Sequence, residues 1–359
     1  MQFYNRDKIY LLDHSRNELI GFIQNLGLEK YRAQQVFRGI YIQLLPDFKH
    51  LTTISKKLRE QLDSTAILRS LKLIKTKKSP LDHTVKFLWQ LADGKSIESV
   101  IIYEGKRITF CISSQVGCAL DCKFCATGRM GFLRNLTAGE IVEQVILMKQ
   151  NTQNLTTNIV FMGMGEPLLN TKNVLKACDI ISDPEGLAFA RKKITISTSG
   201  IIPGIRKLAD IKAPFSLAIS LNTVFEETRR ELMPISKKYP LEKLLPAIGY
   251  YTSRTKRRIT FEYILFAGLN DTIRDAQQLL KFTTGIPCKI NLIPCNIDDP
   301  NFPPPAPEKL RWFHEYLNKH NRTVTTRLRK GWDIQAACGQ LNAHYAQGTG
   351  VKIPHRSNI

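Results

Sequence analysis

Apolar positions along the chain recur first at helical spacing and later in short runs of β type. Leu19, Ile20, Phe22, Ile23 and Leu26, then Val36, Phe37, Ile40 and Tyr41, mark amphipathic helices within residues 1 to about 70. From His83 to Tyr103 the period changes. The runs TVKFLWQL and SIESVIIY are rich in β-branched and aromatic residues, and ADGK between them carries an Asp-Gly turn, so a hairpin is predicted. After about residue 107, short apolar runs alternate with helical stretches: ITFCIS (108–113), TNIVFM (157–162), KITIST (193–198), FSLAIS (215–220), ITFEYIL (259–265), KINLI (289–293) and TVTTRL (323–328). The stretch Thr137 to Gln150 opens with Thr137 and Glu140 at capping-box spacing. Strands separated by helices imply βαβ crossovers and a parallel sheet or barrel, an α/β fold. Pro300 to Pro307 reads as an extended loop before the last helix–strand unit.

That rhythm also says where chemistry belongs, since parallel β/α architectures place active sites at the C-terminal ends of strands. GCALDCKFC, GMGEP, STSG, SLN and IPCN each follow the end of a predicted strand.

Composition narrows the class. With 359 residues, 43% of them hydrophobic, the chain has ample material for a core and about two domains. Disordered, collagen-like and coiled-coil classes are excluded. Lys+Arg 52 against Asp+Glu 31 leaves +21, although the charged fraction of 23% is ordinary. The excess comes from missing acids, and it favours a polyanionic partner. Basic clusters at Lys75, Lys77 and Lys78, at Arg191 to Lys193, at Arg254 with Lys256 to Arg258, and at Arg327, Arg329 and Lys330 suit a large structured RNA bound through phosphates. No run approaches about 18 apolar residues, and the start MQFYNRDKIYLLDHS lacks the apolar run of a signal peptide, so a cytoplasmic location is expected.

Eight cysteines are too sparse for a disulfide scaffold. Cys118, Cys122 and Cys125 follow the strand ITFCIS as C-x-x-x-C-x-x-C. Three thiolates on one loop suit three corners of a [4Fe–4S] cube whose fourth iron stays free; a three-cysteine zinc knuckle closed by a distant ligand is the alternative. Taken alone, Cys338 and Cys111 read as small buried hydrophobes, and Glu98 as a solvated strand carboxylate.

The spacing CxxxCxxC after the first strand of a β/α chain is similar to that of radical S-adenosylmethionine (SAM) enzymes. The longer string CISSQVGCALDCKFCATG, with GMGEPLLN, STSG, INLIPCN and AACGQL, resembles the RlmN–Cfr family of RNA adenine methyltransferases, from YRAQQVF to AACGQL. Within it, GCALDCKFCATG and PISKKY read more like the RlmN branch. The resemblance implies a partial (β/α)6-type barrel at 107–345 with a C-terminal extension, a helical RNA-docking domain at 1–70, a β-hairpin connector at 71–106 and a basic tail at 346–359.

It further implies one [4Fe–4S] cluster on Cys118, Cys122 and Cys125, and two SAM molecules consumed per turnover. Gly165, Glu166, Ser197, Ser220, Leu221, Asn222 and Asn296 match the family's SAM contacts, Gly165 and Glu166 at the methionyl amino end. Cys338 matches the methyl-carrying cysteine, Cys111 the cysteine that resolves the protein–RNA link through a transient disulfide, and Glu98 the proton acceptor. The implied reaction is methylation of adenine C2 in 23S rRNA and at the adenosine 3′ of some tRNA anticodons, with a flavodoxin- or ferredoxin-type electron donor and a monomeric enzyme. The alternatives are a C8-directed Cfr-type enzyme, a radical-SAM enzyme that does not methylate, such as an activase or synthase, and a zinc-stabilised RNA-binding module. Asn222 stands where many relatives carry His, and Lys330-Gly331-Trp332 precedes Asp333 where Arg-Gly-acid is commoner; both departures bear on substrate preference.

Overall fold

A computed structural model describes residues 8–152, 157–327 and 329–343; the basic tail expected at 346–359 lies outside them. The N-terminal part contains helices α1 (Arg16–Asn25), α2 (Lys30–Tyr41) and α3 (Lys56–Thr65). Ser15 starts α1 by accepting the Glu18 N–H, while the Glu18 carboxylate accepts the Ser15 N–H. Two otherwise orphaned donors are thereby satisfied. The apolar stripes read from the sequence point inward: Leu19, Phe22 and Ile23 of α1 and Val36, Phe37, Ile40 and Tyr41 of α2 are buried. A short parallel pair, Ile9–Tyr10 with Ala66–Ile67, ties the two ends of the unit.

This unit packs on the helix Ala138–Gln150, which begins at the capping box of Thr137 and Glu140. Buried Glu143 accepts the Tyr10 hydroxyl at 2.5 Å, the Ser70 N–H at 2.8 Å and the Leu71 N–H at 3.1 Å. Asp13 accepts the Gly139 N–H at 2.7 Å, and a Cβ on Gly139 would stand 2.4 Å from the Tyr10 ring.

Among the described residues the main sheet has ten strands: β1 (Lys72–Lys78), β2 (Val85–Gln90), β3 (Ser96–Glu104), β4 (Arg107–Cys111), β5 (Asn158–Phe161), β6 (Ile194–Thr198), β7 (Ser216–Ser220), β8 (Ile259–Leu265), β9 (Cys288–Pro294) and β10 (Val324–Thr326). Strands adjacent in sequence are adjacent in the sheet. β1 to β4 form an antiparallel meander, and β4 to β10 run parallel. Each parallel step passes through a helix, as crossover geometry demands. All seven parallel strands line one interior cavity, so this part of the sheet curves into a barrel wall.

The hairpin β2–β3 is continuous with the barrel sheet, because β3 pairs with β4 from Val100 opposite Cys111 to Glu104 opposite Arg107. β1 is an unforeseen addition. Its lysines, Lys72, Lys75, Lys77 and Lys78, give no apolar alternation to read, and they occupy the sheet edge, where charge discourages pairing with another chain. Among the described residues no helix is long and apolar enough to cross a membrane.

Candidate active site

The cysteine loop leaves a small hairpin, Gln115–Gly117 paired with Phe132–Asn135. Gly117 has φ +73°, and a Cβ there would lie 1.8 Å from the Gly131 carbonyl oxygen, so the turn admits only glycine. Cys118 N–H donates to that same oxygen at 2.9 Å, and Cys125 N–H donates to the Cys122 carbonyl at 3.0 Å. Cys118, Cys122 and Cys125 all line one cavity of about 150 Å³. Burial pushes the Cys118 thiol up to about 12 and the other two upward as well, with neighbouring cysteines adding to the effect on Cys118 and Cys122. Thiols that resist ionisation together release their protons when a thiophilic metal centre compensates the charge. Among the described residues, no three His, Cys, Asp or Glu side chains converge on the position of a single metal ion.

Further lining comes from the loop after β5 and from the C-terminal ends of β6 and β7. Gly165, Glu166, Ser197, Ser220 and Asn222 line the same cavity as the three thiols. Gly165 takes φ +96°, and a Cβ would meet the Gln115 side chain at 2.5 Å. Glu166 is buried, and its oxygens accept the Leu168 N–H at 2.9 Å and the Ser199 N–H at 2.8 Å. The Thr198 and Ser199 side chains hydrogen-bond to it as well. Burial raises this carboxyl to about 7 despite those bonds.

Asn222 has structural bonds besides its place in that lining, and Leu221 and Asn296 lie outside it. Asn222, at φ +60°, accepts the Ile264 N–H at 3.1 Å and directs its amide N–H at Met233 Sδ, 3.2 Å away, so its side chain is engaged in holding β7 to β8. The Leu221 side chain is fully buried in the core, and that residue offers only backbone. Asn296 lies in an adjoining cavity, where its Oδ1 accepts the Arg329 Nε–H at 3.1 Å.

That adjoining cavity holds Cys111, the last residue of β4, together with Cys338, Met162, Arg327 and Leu341. Both cysteines are free. Burial first, then the neighbouring Cys338, pushes the Cys111 thiol up to about 12. Cys338 lines both cavities and so stands at their junction. Its loop is fixed to the cluster loop: Ala126 N–H donates to the Gly339 carbonyl and the Thr127 hydroxyl to the Leu341 carbonyl, both at 2.7 Å.

Glu98, the third residue of β3, is 3% exposed, which corrects its reading as a solvated carboxylate. Its Oε1 stands 3.0 Å from Lys86 Nζ, and its Oε2 accepts the Asn342 N–H at 2.7 Å. Burial raises its pKa, and Lys86 partly opposes that.

Two arginines have roles that the linear pattern does not reveal. Arg229 is fully buried and donates to the carbonyls of Ser199, Ser220 and Leu221 and to the Ser236 hydroxyl, at 2.8 to 3.3 Å. It thereby joins the STSG and SLN loops. Arg327, grouped by sequence with a basic RNA-facing cluster, instead lines the cavity of Cys111 and Cys338 and donates to Met162 Sδ at 3.4 Å. The nearby Cys338 raises its pKa.

Below the thiols the barrel opens into a larger chamber. Met162 and Glu262 belong to both it and the cluster cavity. Inward-facing residues step along β8 from Thr260 through Glu262 to Ile264, as period-two alternation requires. Arg107, Lys193, Arg258 and Lys289 line the lower end.

Residues 112–282, which carry the three thiols and most of the loops that share their cavity, match the Radical SAM superfamily. Residues 9–68 match the ribosomal RNA large subunit methyltransferase N-terminal domain. The chain is 43% identical to a dual-specificity RNA methyltransferase RlmN of Geotalea uraniireducens, over 93% of this chain and 97% of that one. It is 42% identical to the RlmN of Syntrophobacter fumaroxidans, over 94% and 99%. A radical SAM methyltransferase from Sphaerobacter thermophilus superposes with a TM-score of 0.91 at 38% identity, over 94% of this chain and all of that one. The chain belongs to the RlmN family. The family works with a [4Fe–4S] cluster and SAM, and the thiol-rich cavity beside Glu166 suits both in donor chemistry.

Proposed function

We propose that this chain methylates C2 of adenine in RNA, in 23S rRNA and next to tRNA anticodons, by way of a methylated Cys338. The reading rests above all on the position of Cys338, at the junction between the cavity of the three thiols and the cavity of Cys111. Cys118, Cys122 and Cys125 would hold the cluster by three irons; Gly165, Glu166, Ser197, the Ser220 to Asn222 backbone and Asn296 would hold SAM. Bound there, the pair supplies a methyl group and one-electron cleavage chemistry.

The remaining steps fall to side chains. Adenine C2 is an electron-poor ring carbon with no lone pair, so it cannot take a methyl cation directly; a thiolate can. Cys338 does so, with the Arg327 guanidinium on the wall of the same cavity. Once the carbon bridges Cys338 and the ring, Glu98 takes the proton from the substituted ring carbon. The Cys111 thiolate then attacks the Cys338 sulfur. An S–S bond forms as the S–C bond breaks, and the carbon leaves with that electron pair and takes up a proton. An external dithiol returns the disulfide to two thiols.

RNA reaches this site through the lower chamber, where Arg107, Lys193, Arg258 and Lys289 meet phosphates. A base must leave its stack to go so deep. A small acidic electron carrier of flavodoxin or ferredoxin type in the cytoplasm suits a chain of net charge +21.

The test is anaerobic reconstitution with iron and sulfide, then incubation with SAM, reductant and an rRNA fragment, and mass spectrometry of protein and RNA. S-methyl on Cys338 and 2-methyladenosine in the RNA are expected. An unmethylated Cys338 and unmodified RNA would overturn the reading, and 8-methyladenosine would move it to the Cfr chemistry.

A further inference from the structure

We infer that Lys86 and Glu98 form a clasp on the loop that carries Cys338, and that the clasp opens when Glu98 takes up the reaction's proton. The inference rests on the proposed roles of Cys338 and Glu98. Lys86 Nζ stands 3.0 Å from Glu98 Oε1 and donates to the Gln335 carbonyl at 3.0 Å. Glu98 Oε2 accepts the Asn342 N–H at 2.7 Å. One buried ion pair therefore holds the loop at residue 335 and at residue 342, with Cys338 between the two anchors.

The pairing follows from strand register. Leu88 of β2 stands opposite Glu98 of β3, so Lys86 is the diagonal neighbour on the same face, within reach of a long side chain. Both side chains are nearly excluded from water, at 8% and 4% exposure. The groups that face Glu98 are Lys86 from β2, Lys77 from β1 by its charge, the Asn342 N–H from the loop, and Ser113, whose hydroxyl donates to the Glu98 carbonyl at 2.5 Å.

While Glu98 is ionised, the pair is compensated and both anchors are charge-assisted. A proton on Glu98 leaves the Lys86 ammonium buried without a counter-charge and reduces the Asn342 contact to an ordinary hydrogen bond, about half as strong. Both ends of the loop loosen at that moment. The consequence is an ordering of events. Cys111 and Cys338 share a cavity as free thiols, and a premature disulfide between them would idle the enzyme. The clasp holds Cys338 off Cys111 until the proton has left the ring, and Lys86 is a positioning residue for the resolving step.

The test uses reconstituted holoenzyme without RNA. Diamide oxidises the two thiols, taking up both hydrogens, and mass spectrometry follows the Cys111–Cys338 disulfide. Lys86→Gln and Glu98→Gln are expected to form it on the order of tenfold faster than the unmodified chain, the factor that loss of one charge-assisted bond gives. Lys86→Arg restores the slow rate. Equal rates in all four proteins would overturn the clasp. Should Lys86→Gln fail to fold, hydrogen exchange of the unmodified chain decides. Corrected for intrinsic rates, protection of amides 336–342 is expected to fall as pH drops through the raised Glu98 range, and constant protection would overturn it. Methylation of Cys338 by SAM is measured separately, so failure of the proposed function registers independently of the clasp.

Discussion

Cys111 and Cys338 are free thiols on the wall of the same small cavity, with Arg327 beside them. One ends a barrel strand; the other lies on a loop anchored to the cluster loop through Gly339 and Leu341. Replacing each separates their roles. Cys338→Ala is expected to abolish both protein and RNA methylation. Cys111→Ala is expected to leave Cys338 methylated and to accumulate a covalent protein–RNA species, seen as a slow band on a denaturing gel. A Cys111→Ala enzyme that turns over normally would contradict the assignment.

Glu98→Gln is expected to slow RNA methylation by roughly 10²- to 10⁴-fold, the range for loss of a general base. The acid limb of the rate–pH profile follows from the direction of its shift. Burial raises this carboxyl above the ordinary 4.5, and only the ionised form accepts a proton, so activity falls at a pH higher than a surface glutamate would give. The check is the midpoint of that limb under single-turnover conditions; a midpoint at or below the ordinary value contradicts the burial.

Arg229→Gln removes a guanidinium that satisfies three backbone carbonyls and a hydroxyl in the core. Leaving such partners unpaired costs about 3–5 kcal/mol, and Arg229→Lys recovers little because an ammonium lacks the planar fork. Denaturant unfolding measures the loss. SAM affinity measured alongside it is expected to fall, because the STSG and SLN loops lose their common tie.

Gly165→Ala is expected to destabilise the loop after β5 by about 1–3 kcal/mol of backbone strain alone, at φ +96°. The added Cβ also drives into Gln115, whose side chain accepts the Glu166 N–H at 2.7 Å. Loss of SAM binding by calorimetry, with a folded circular dichroism spectrum, is the expected result.

The lower chamber is probed by charge. Arg258→Glu with Lys289→Glu is expected to raise the KM for RNA and to lower the salt slope of binding by about 0.7–0.9 per lost phosphate contact. Methylation of Cys338 in the absence of RNA is expected to be unchanged. Unaltered RNA affinity would show that phosphates do not meet this mouth.

Much of this was legible in the residues. The seven apolar runs from residue 108 onward are strands whose ends agree within about two residues, because buried parallel strands write themselves as short β-branched runs between helices. The loops after them converge because strand ends in such a sheet must. What could not be read was burial of charge. Lys86 and Arg229 are buried, and their partners Gln335 and Ser199 lie 249 and 30 residues away along the chain. Strand β1 was hidden for a related reason, since four lysines among its seven residues leave no apolar alternation.

The most direct measurement traces one methyl group. Protein is first charged with trideuteromethyl SAM, freed of it, and then given unlabelled SAM, reductant and RNA for a single turnover. Deuterium is expected to leave the Cys338 peptide and to appear in the methyl group on adenine C2. Deuterium that stays on Cys338 while the RNA gains an unlabelled methyl would contradict it.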